Sequence, residues 1–236
     1  MKKIIITGAS SGLGRAAALY LDREGYSCTL IGRNRKSLEY VSERTDNSTI
    51  IEFDLVKDDY SVLLDELKQI GKFSGMVYCA GVQKNKPFQF FKESDYNEIF
   101  DVNVRALIRI TNLYLSKSVI DYPNSIVFIS SITAIRGYPT QSIYSASKGA
   151  VLSFARSLVS EYKKRDIRFN CILPGLFNTP MSRSIIESMK KAGKGNLPDM
   201  GEPEEFAPLV EFLLSKRSRH INGSEITLDN GESAVK

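Results

Sequence analysis

The chain has 236 residues, 42% hydrophobic and 25% charged, an ordinary globular composition with no linker or repeat to divide it, which points to one domain. Its formal charge of +5 is spread among acids rather than gathered into a stripe, which argues against nucleic acid as a partner. Three scattered cysteines (Cys28, Cys79, Cys171) and one histidine, His220, argue against a disulfide framework and a metal site, and no apolar run reaches the about 18 residues of a membrane span, so a cytoplasmic protein is expected.

An apolar run at residues 3–7 predicts the first strand, and residues 13–24 carry helical spacing. Between them lies Thr7-Gly8-Ala9-Ser10-Ser11-Gly12-Leu13-Gly14. Glycines at 8, 12 and 14 suit a tight turn, a close backbone approach to phosphate and close helix–strand packing, with the positive helix end aimed at the ligand. A strand at 27–32 follows, then Arg33-Asn34-Arg35, with no acid before Glu39. An acid at that strand end would hold a ribose 2′-hydroxyl, whereas a guanidinium suits a 2′-phosphate. NADP(H) is therefore expected ahead of NAD(H), although Arg33 also suits a plain solvated loop.

Further along, a helix is predicted at 35–44, a strand at 49–54, a helix at 58–70 and a strand at 75–79. A long helix at 95–122 carries Asn103, and a strand at 125–131 ends on Ser130-Ser131. The next helix, 143–164, places Tyr144 and Lys148 four residues apart on one face. An ammonium beside a phenol favours the phenolate and so lowers its pKa, as proton transfer near neutrality requires. That spacing alone has little specificity. By residue type, Asn103 also suits a helix cap, Ser131 a turn and Tyr144 a packing position. A strand at 167–173 leads into Pro174-Gly175, a helix at 203–215 opens on Pro203, and a strand at 224–228 closes the series. Strands alternating with helices predict a doubly wound, Rossmann-like α/β fold, with a parallel sheet of about seven strands and helices on both faces.

Taken together and in this order, these motifs resemble the classical short-chain dehydrogenase/reductase family over residues 2 to 232. The resemblance implies a catalytic tetrad of Asn103, Ser131, Tyr144 and Lys148. Ser131 is preferred to Ser130 for its thirteen-residue separation from Tyr144. It also implies that Asp54-Leu55 meets the adenine, Cys79-Ala80-Gly81 follows the fourth strand, and Pro174, Gly175 and Thr179 meet the nicotinamide side. The implied dinucleotide contacts are Gly8, Ser10, Ser11, Gly12, Leu13, Gly14, Arg33, Asn34, Asp54, Leu55, Cys79, Ala80, Gly81, Asn103, Tyr144, Lys148, Pro174, Gly175, Phe177 and Thr179. In the implied mechanism Tyr144 donates a proton as hydride reaches a carbonyl carbon, Ser131 binds the carbonyl oxygen, Lys148 lowers the phenol's pKa and holds the ribose, and Asn103 positions a relaying water.

Three departures stand out. Cys79 replaces the family's usual asparagine, Ser11 occupies a position often held by Lys or Arg, and Leu228-Asp229-Asn230-Gly231 differs slightly from the family's Asp-Gly-Gly ending. The substrate is expected to be a small carbonyl or alcohol, carrier-linked in some relatives of this type, under a flap at 178–202. The resemblance further implies a homodimer or homotetramer. An NAD-dependent alcohol dehydrogenase and a non-catalytic NADP(H)-binding sensor are the competing readings, with Arg33 and the tetrad as the respective discriminators.

Overall fold

The computed structural model describes residues 1–183, 186–187 and 199–234, so the expected flap at 178–202 lies in part outside the described residues. Seven parallel strands, β1 (Lys3–Thr7), β2 (Ser27–Gly32), β3 (Ser48–Glu52), β4 (Phe73–Tyr78), β5 (Ile120–Ile129), β6 (Ile167–Pro174) and β7 (Glu225–Leu228), form one sheet in the order β3-β2-β1-β4-β5-β6-β7. The α-helices bounded by described residues are α1 (Gly12–Arg23), α2 (Arg35–Ser42), α3 (Tyr60–Ile70), α4 (Glu93–Phe100), α5 (Ala106–Tyr114), α6 (Ser142–Tyr162) and α7 (Pro203–Leu214).

Each strand sends alternate side chains to opposite faces, and both faces are covered, which is why the strands read as continuous apolar runs. Ile5, Met76, Ile126 and Phe128 pack on one face with Leu63 and Leu67 of α3, Ile110 of α5 and Val151 of α6. Ile4, Ile6, Val77 and Val127 pack on the other with Leu21 of α1, Leu38 of α2 and Phe206 of α7. The chain winds outward from β1 to β3, then returns to place β4 against the opposite edge of β1. That reversal opens a crevice at the carboxyl ends of β1 and β4, the usual ligand position in such sheets.

The expected helix at 95–122 is corrected. It divides into α4, a π-helical turn at Asp101–Arg105, and α5, and it stops at Tyr114. Ile120 is already strand, paired with Phe73. The residue before a proline is sterically barred from helical geometry, and Tyr122 precedes Pro123. Helical spacing continues through the β-branched pair Val119-Ile120, so periodicity alone overruns the true end. Strand β3 also ends at Glu52, which leaves Asp54 in the following turn rather than in the strand.

Candidate active site

The crevice deepens into a cleft of about 390 Å³ that runs from the first turn of α1 to the first turn of α6. Its floor at the β1 end is shaped by steric exclusion. Gly8 has φ +66°, and a side chain there would come within 2.8 Å of the Ala80 backbone nitrogen. A Cβ on Gly14 would run into the Gly8 carbonyl. Only glycine fits either place, because the turns after β1 and β4 pack backbone against backbone there with no room for a side chain. Ala80 N–H is held by Thr7 Oγ1 at 3.2 Å, which ties the β4 end to the β1 end.

Helix α1 has no acid in its first turn, and its N-cap residue Ser11 makes no side-chain cap. Its first-turn N–H groups therefore have neither a capping side chain nor a neutralising carboxylate, the arrangement that suits a phosphate. Ser10, Ser11, Gly12, Leu13 and Gly14 all border the cleft. Thr179, in the loop after β6, lies 3.3 Å from where a Gly12 Cβ would stand, so this loop closes over the glycine turn. Arg33 borders the cleft just after β2. Its neighbour Asn34 does not; its Oδ1 accepts the Ser37 N–H at 2.9 Å and caps α2. On the opposite wall are Asp54 and Leu55, and beyond them Cys79, Ala80 and Gly81. Burial pushes the Cys79 thiol up to about 12, with the Lys148 charge opposing, so it stands there as a small neutral group.

At the α6 end, Ser131, Tyr144 and Lys148 border the same cleft. Ser130 and Ser131 have different surroundings: Ser130 Oγ donates to the Lys148 carbonyl at 2.9 Å, while Ser131 Oγ accepts the Thr133 N–H at 3.2 Å. Lys148 Nζ donates to the Ile129 carbonyl at 2.9 Å and lies 5.7 Å from the Tyr144 ring centre. Burial lowers the Lys148 ammonium to about 8. Burial also raises the Tyr144 phenol to about 12, with a Ser131 hydrogen bond opposing it. Burial of the phenolate thus sets the direction for Tyr144, and the Ser131 hydrogen bond is the group that acts against it.

Asn103 does not border the cleft. It sits fully buried in the π-helical turn, where Oδ1 accepts the Val82 N–H at 2.8 Å and Nδ2 donates to the Val82 carbonyl and Ser147 Oγ, each at 3.0 Å. Pro174, Gly175 and Phe177 border the cleft on the β6 side. Gly175 is needed because a Cβ there would lie 2.8 Å from Asp229 Cβ, where the β7 end closes in. Sequence reasoning missed Thr133, Tyr138, Gln141 and Glu232, which also border the cleft. Only Gln141, three residues before Tyr144, carried a positional signal.

The profile of the short chain dehydrogenase family matches residues 2–190. A 3-oxoacyl-(acyl-carrier-protein) reductase of Thermotoga maritima is 27% identical over 241 residues, covering 98% of this chain and 97% of that one. Among solved structures, 4-hydroxyisoleucine dehydrogenase complexed with NADH superposes with TM-score 0.88 at 25% identity, covering both chains fully. A protein from Agrobacterium tumefaciens, described as a putative 2-deoxy-D-gluconate 3-dehydrogenase with bound NADP, gives TM-score 0.82 at 25% identity, covering 99% of this chain and 97% of that one. With the family matched across most of its length and the fold across all of it, the chain belongs to the short-chain dehydrogenases, oxidoreductases that transfer hydride to or from a nicotinamide dinucleotide.

Proposed function

We propose that the protein reduces a ketone or aldehyde with NADPH. The observation that carries this reading is a single cleft bordered at one end by the glycine turn and Arg33, and at the other by Ser131, Tyr144 and Lys148. The uncapped N-terminus of α1, which the tight glycine turn brings to the cleft, fits a dinucleotide pyrophosphate. Arg33 supports the 2′-phosphate. Ser10 borders both the cleft and a shallow concavity lined by Arg15, Lys36, Ser37 and Tyr40, which adds two cations next to the Ser10 edge of the cleft.

The bound dinucleotide would supply hydride to the carbonyl carbon. Ser131 would hydrogen-bond the carbonyl oxygen, and Tyr144 would pass its phenolic proton to that oxygen. A phenol near 12 stays protonated through the neutral range, which suits the reducing direction. The Lys148 ammonium, on the same helix face, would stabilise the phenolate left behind. Asn103 would hold the Val82 loop and α6 in register behind the reacting groups. Self-association as a homodimer or homotetramer belongs to the same reading, with Tyr96 of α4 and Ile108 of α5 exposed at 39% and 43%.

Titration with NADPH and NADH tests the cofactor, and a ketone panel with Tyr144→Phe tests the chemistry. NADPH binding tighter than NADH, with turnover lost in the variant, is the expected result. Tighter NADH binding would reverse the cofactor assignment, and undiminished turnover by Tyr144→Phe would remove the proton donor.

A further inference from the structure

All the strands run the same way, so their amino ends share one edge of the sheet, opposite the edge that carries the cleft. Segments far apart in sequence meet there. Phe73 N–H donates to the Val119 carbonyl, Asn124 N–H to the Asp166 carbonyl, and the Arg168 guanidinium to the Ser215 and Ile221 carbonyls. Charge that is scattered along the sequence is thereby gathered in space.

Lys72 stands on the turn before β4, Lys117 before β5, Lys163 and Lys164 before β6, and Lys216 and Arg219 before β7, all exposed. Among the described residues none of these six is paired with an acid. The exposed acids nearby are Asp121, Asp166 and, in the last turn of α6, Glu161, so positive charge is in excess. Lys2, directly before β1, feels the crowding. Burial holds its ammonium below the ordinary value, and the Lys216 and Arg168 charges push the same way, against Glu211. Like charges held this close repel one another, a cost that a polyanion would offset. Toward β2 and β3 the edge turns acidic at Glu24, Glu43 and Asp46, which bounds the patch.

The patch also carries two apolar side chains in solvent, Met1 at 74% and Tyr122 at 45% exposure. We propose that this amino edge of the sheet docks on an anionic lipid bilayer, with Met1 and Tyr122 entering the headgroup layer and the lysines facing lipid phosphates. Tyrosine, with an apolar body and a polar tip, suits the depth of the headgroups. Lysine is a flexible point charge that follows mobile headgroups, whereas the ordered phosphates of a nucleic acid favour the fixed arginine fork. The contact is peripheral, since no helix among the described residues is long and apolar enough to cross a membrane. Docking through this edge leaves the cleft facing away from the bilayer, so it is independent of the dehydrogenase reading.

Cosedimentation with vesicles tests the proposal, using phosphatidylcholine alone and equal parts of phosphatidylcholine and phosphatidylglycerol. Binding to the mixed vesicles only, released by raised salt, is the expected result. Lys164→Glu and Lys216→Glu, on separate turns, should each weaken that binding by about fivefold or more. Lys57→Glu makes the same charge change on the turn after β3, at the opposite edge, and should weaken it by less than about twofold. If one amino-edge variant fails to fold by thermal melting, the other decides. Failure to bind mixed vesicles, undiminished binding by the folded amino-edge variants, or an equal loss in Lys57→Glu overturns the proposal. Tighter binding to a DNA duplex than to mixed vesicles at matched phosphate concentration overturns it as well, and makes the partner a nucleic acid.

Discussion

Asn103 Nδ2 donates to Ser147 Oγ at 3.0 Å, and Ser147 Oγ in turn donates to the Tyr144 carbonyl at 2.7 Å. A buried amide in an irregular turn is thus coupled through one hydroxyl to the backbone of the candidate proton donor. The π-helical turn supplies the coupling geometry, since such turns re-aim one side chain within an otherwise regular helix. Replacing Asn103 by Leu leaves the Val82 N–H and carbonyl without the amide partners they have now. Equilibrium urea unfolding should show a loss of about 2–4 kcal/mol, and kcat should fall more than cofactor affinity.

Gly14→Ala should abolish dinucleotide binding. The added methyl meets backbone, the Gly8 carbonyl, and lies 3.2 Å from Cys79 Cβ, so relief requires the phosphate turn itself to move. Fluorescence titration with reduced dinucleotide measures this directly. Affinity within about threefold of wild type would show that the turn does not form the phosphate cradle.

Lys148→Met should trade activity for stability. The folded-state pKa near 8 lies below the ordinary 10.5, so the folded chain binds fewer protons at this site between those values than the unfolded chain does. The cost of burying the charge is therefore full below about 8 and disappears as pH rises toward 10.5. The variant should be more stable than wild type by about 1–3 kcal/mol at neutral pH, with the gap closing across that window. Its turnover should drop by about a hundredfold or more. Chemical unfolding at several pH values checks the sign; a gap that widens with rising pH contradicts it.

Arg33→Ser should weaken NADPH binding by about ten- to a hundredfold and change NADH binding little, because a guanidinium pairs with the 2′-phosphate alone. Equal losses for both dinucleotides would place Arg33 elsewhere on the cofactor or in the fold.

The cofactor end of the cleft is more legible in the sequence than the substrate end, for physical reasons. Gly8 is imposed by the Ala80 backbone and Gly14 by the Gly8 carbonyl, and because both lie in one short segment the constraint is written in residue type. The strands are legible because burial on both faces leaves uninterrupted apolar runs. Thr133, Tyr138, Gln141 and Glu232 come together only through the return of β7 beside β6, and no local pattern announces that approach. Asn34 shows the converse: its place beside Arg33 suggests a ligand contact, yet its carboxamide caps a helix. The end of α5 is hidden because helical periodicity and the β-branched start of β5 run into each other without a glycine between them.

The contact between the β1 turn at Gly8 and the β4 turn at Ala80 joins segments that are far apart in the chain, and β7 must also dock before Glu232 reaches the cleft. No fragment that ends before β4 holds both walls of the nucleotide cradle, and none that ends before β7 holds the whole cleft. Dinucleotide affinity is therefore a gauge of completed sheet assembly, and saturating cofactor at about a hundred times its dissociation constant should protect the entire molecule against unfolding by about 2.7 kcal/mol rather than merely quieting one loop.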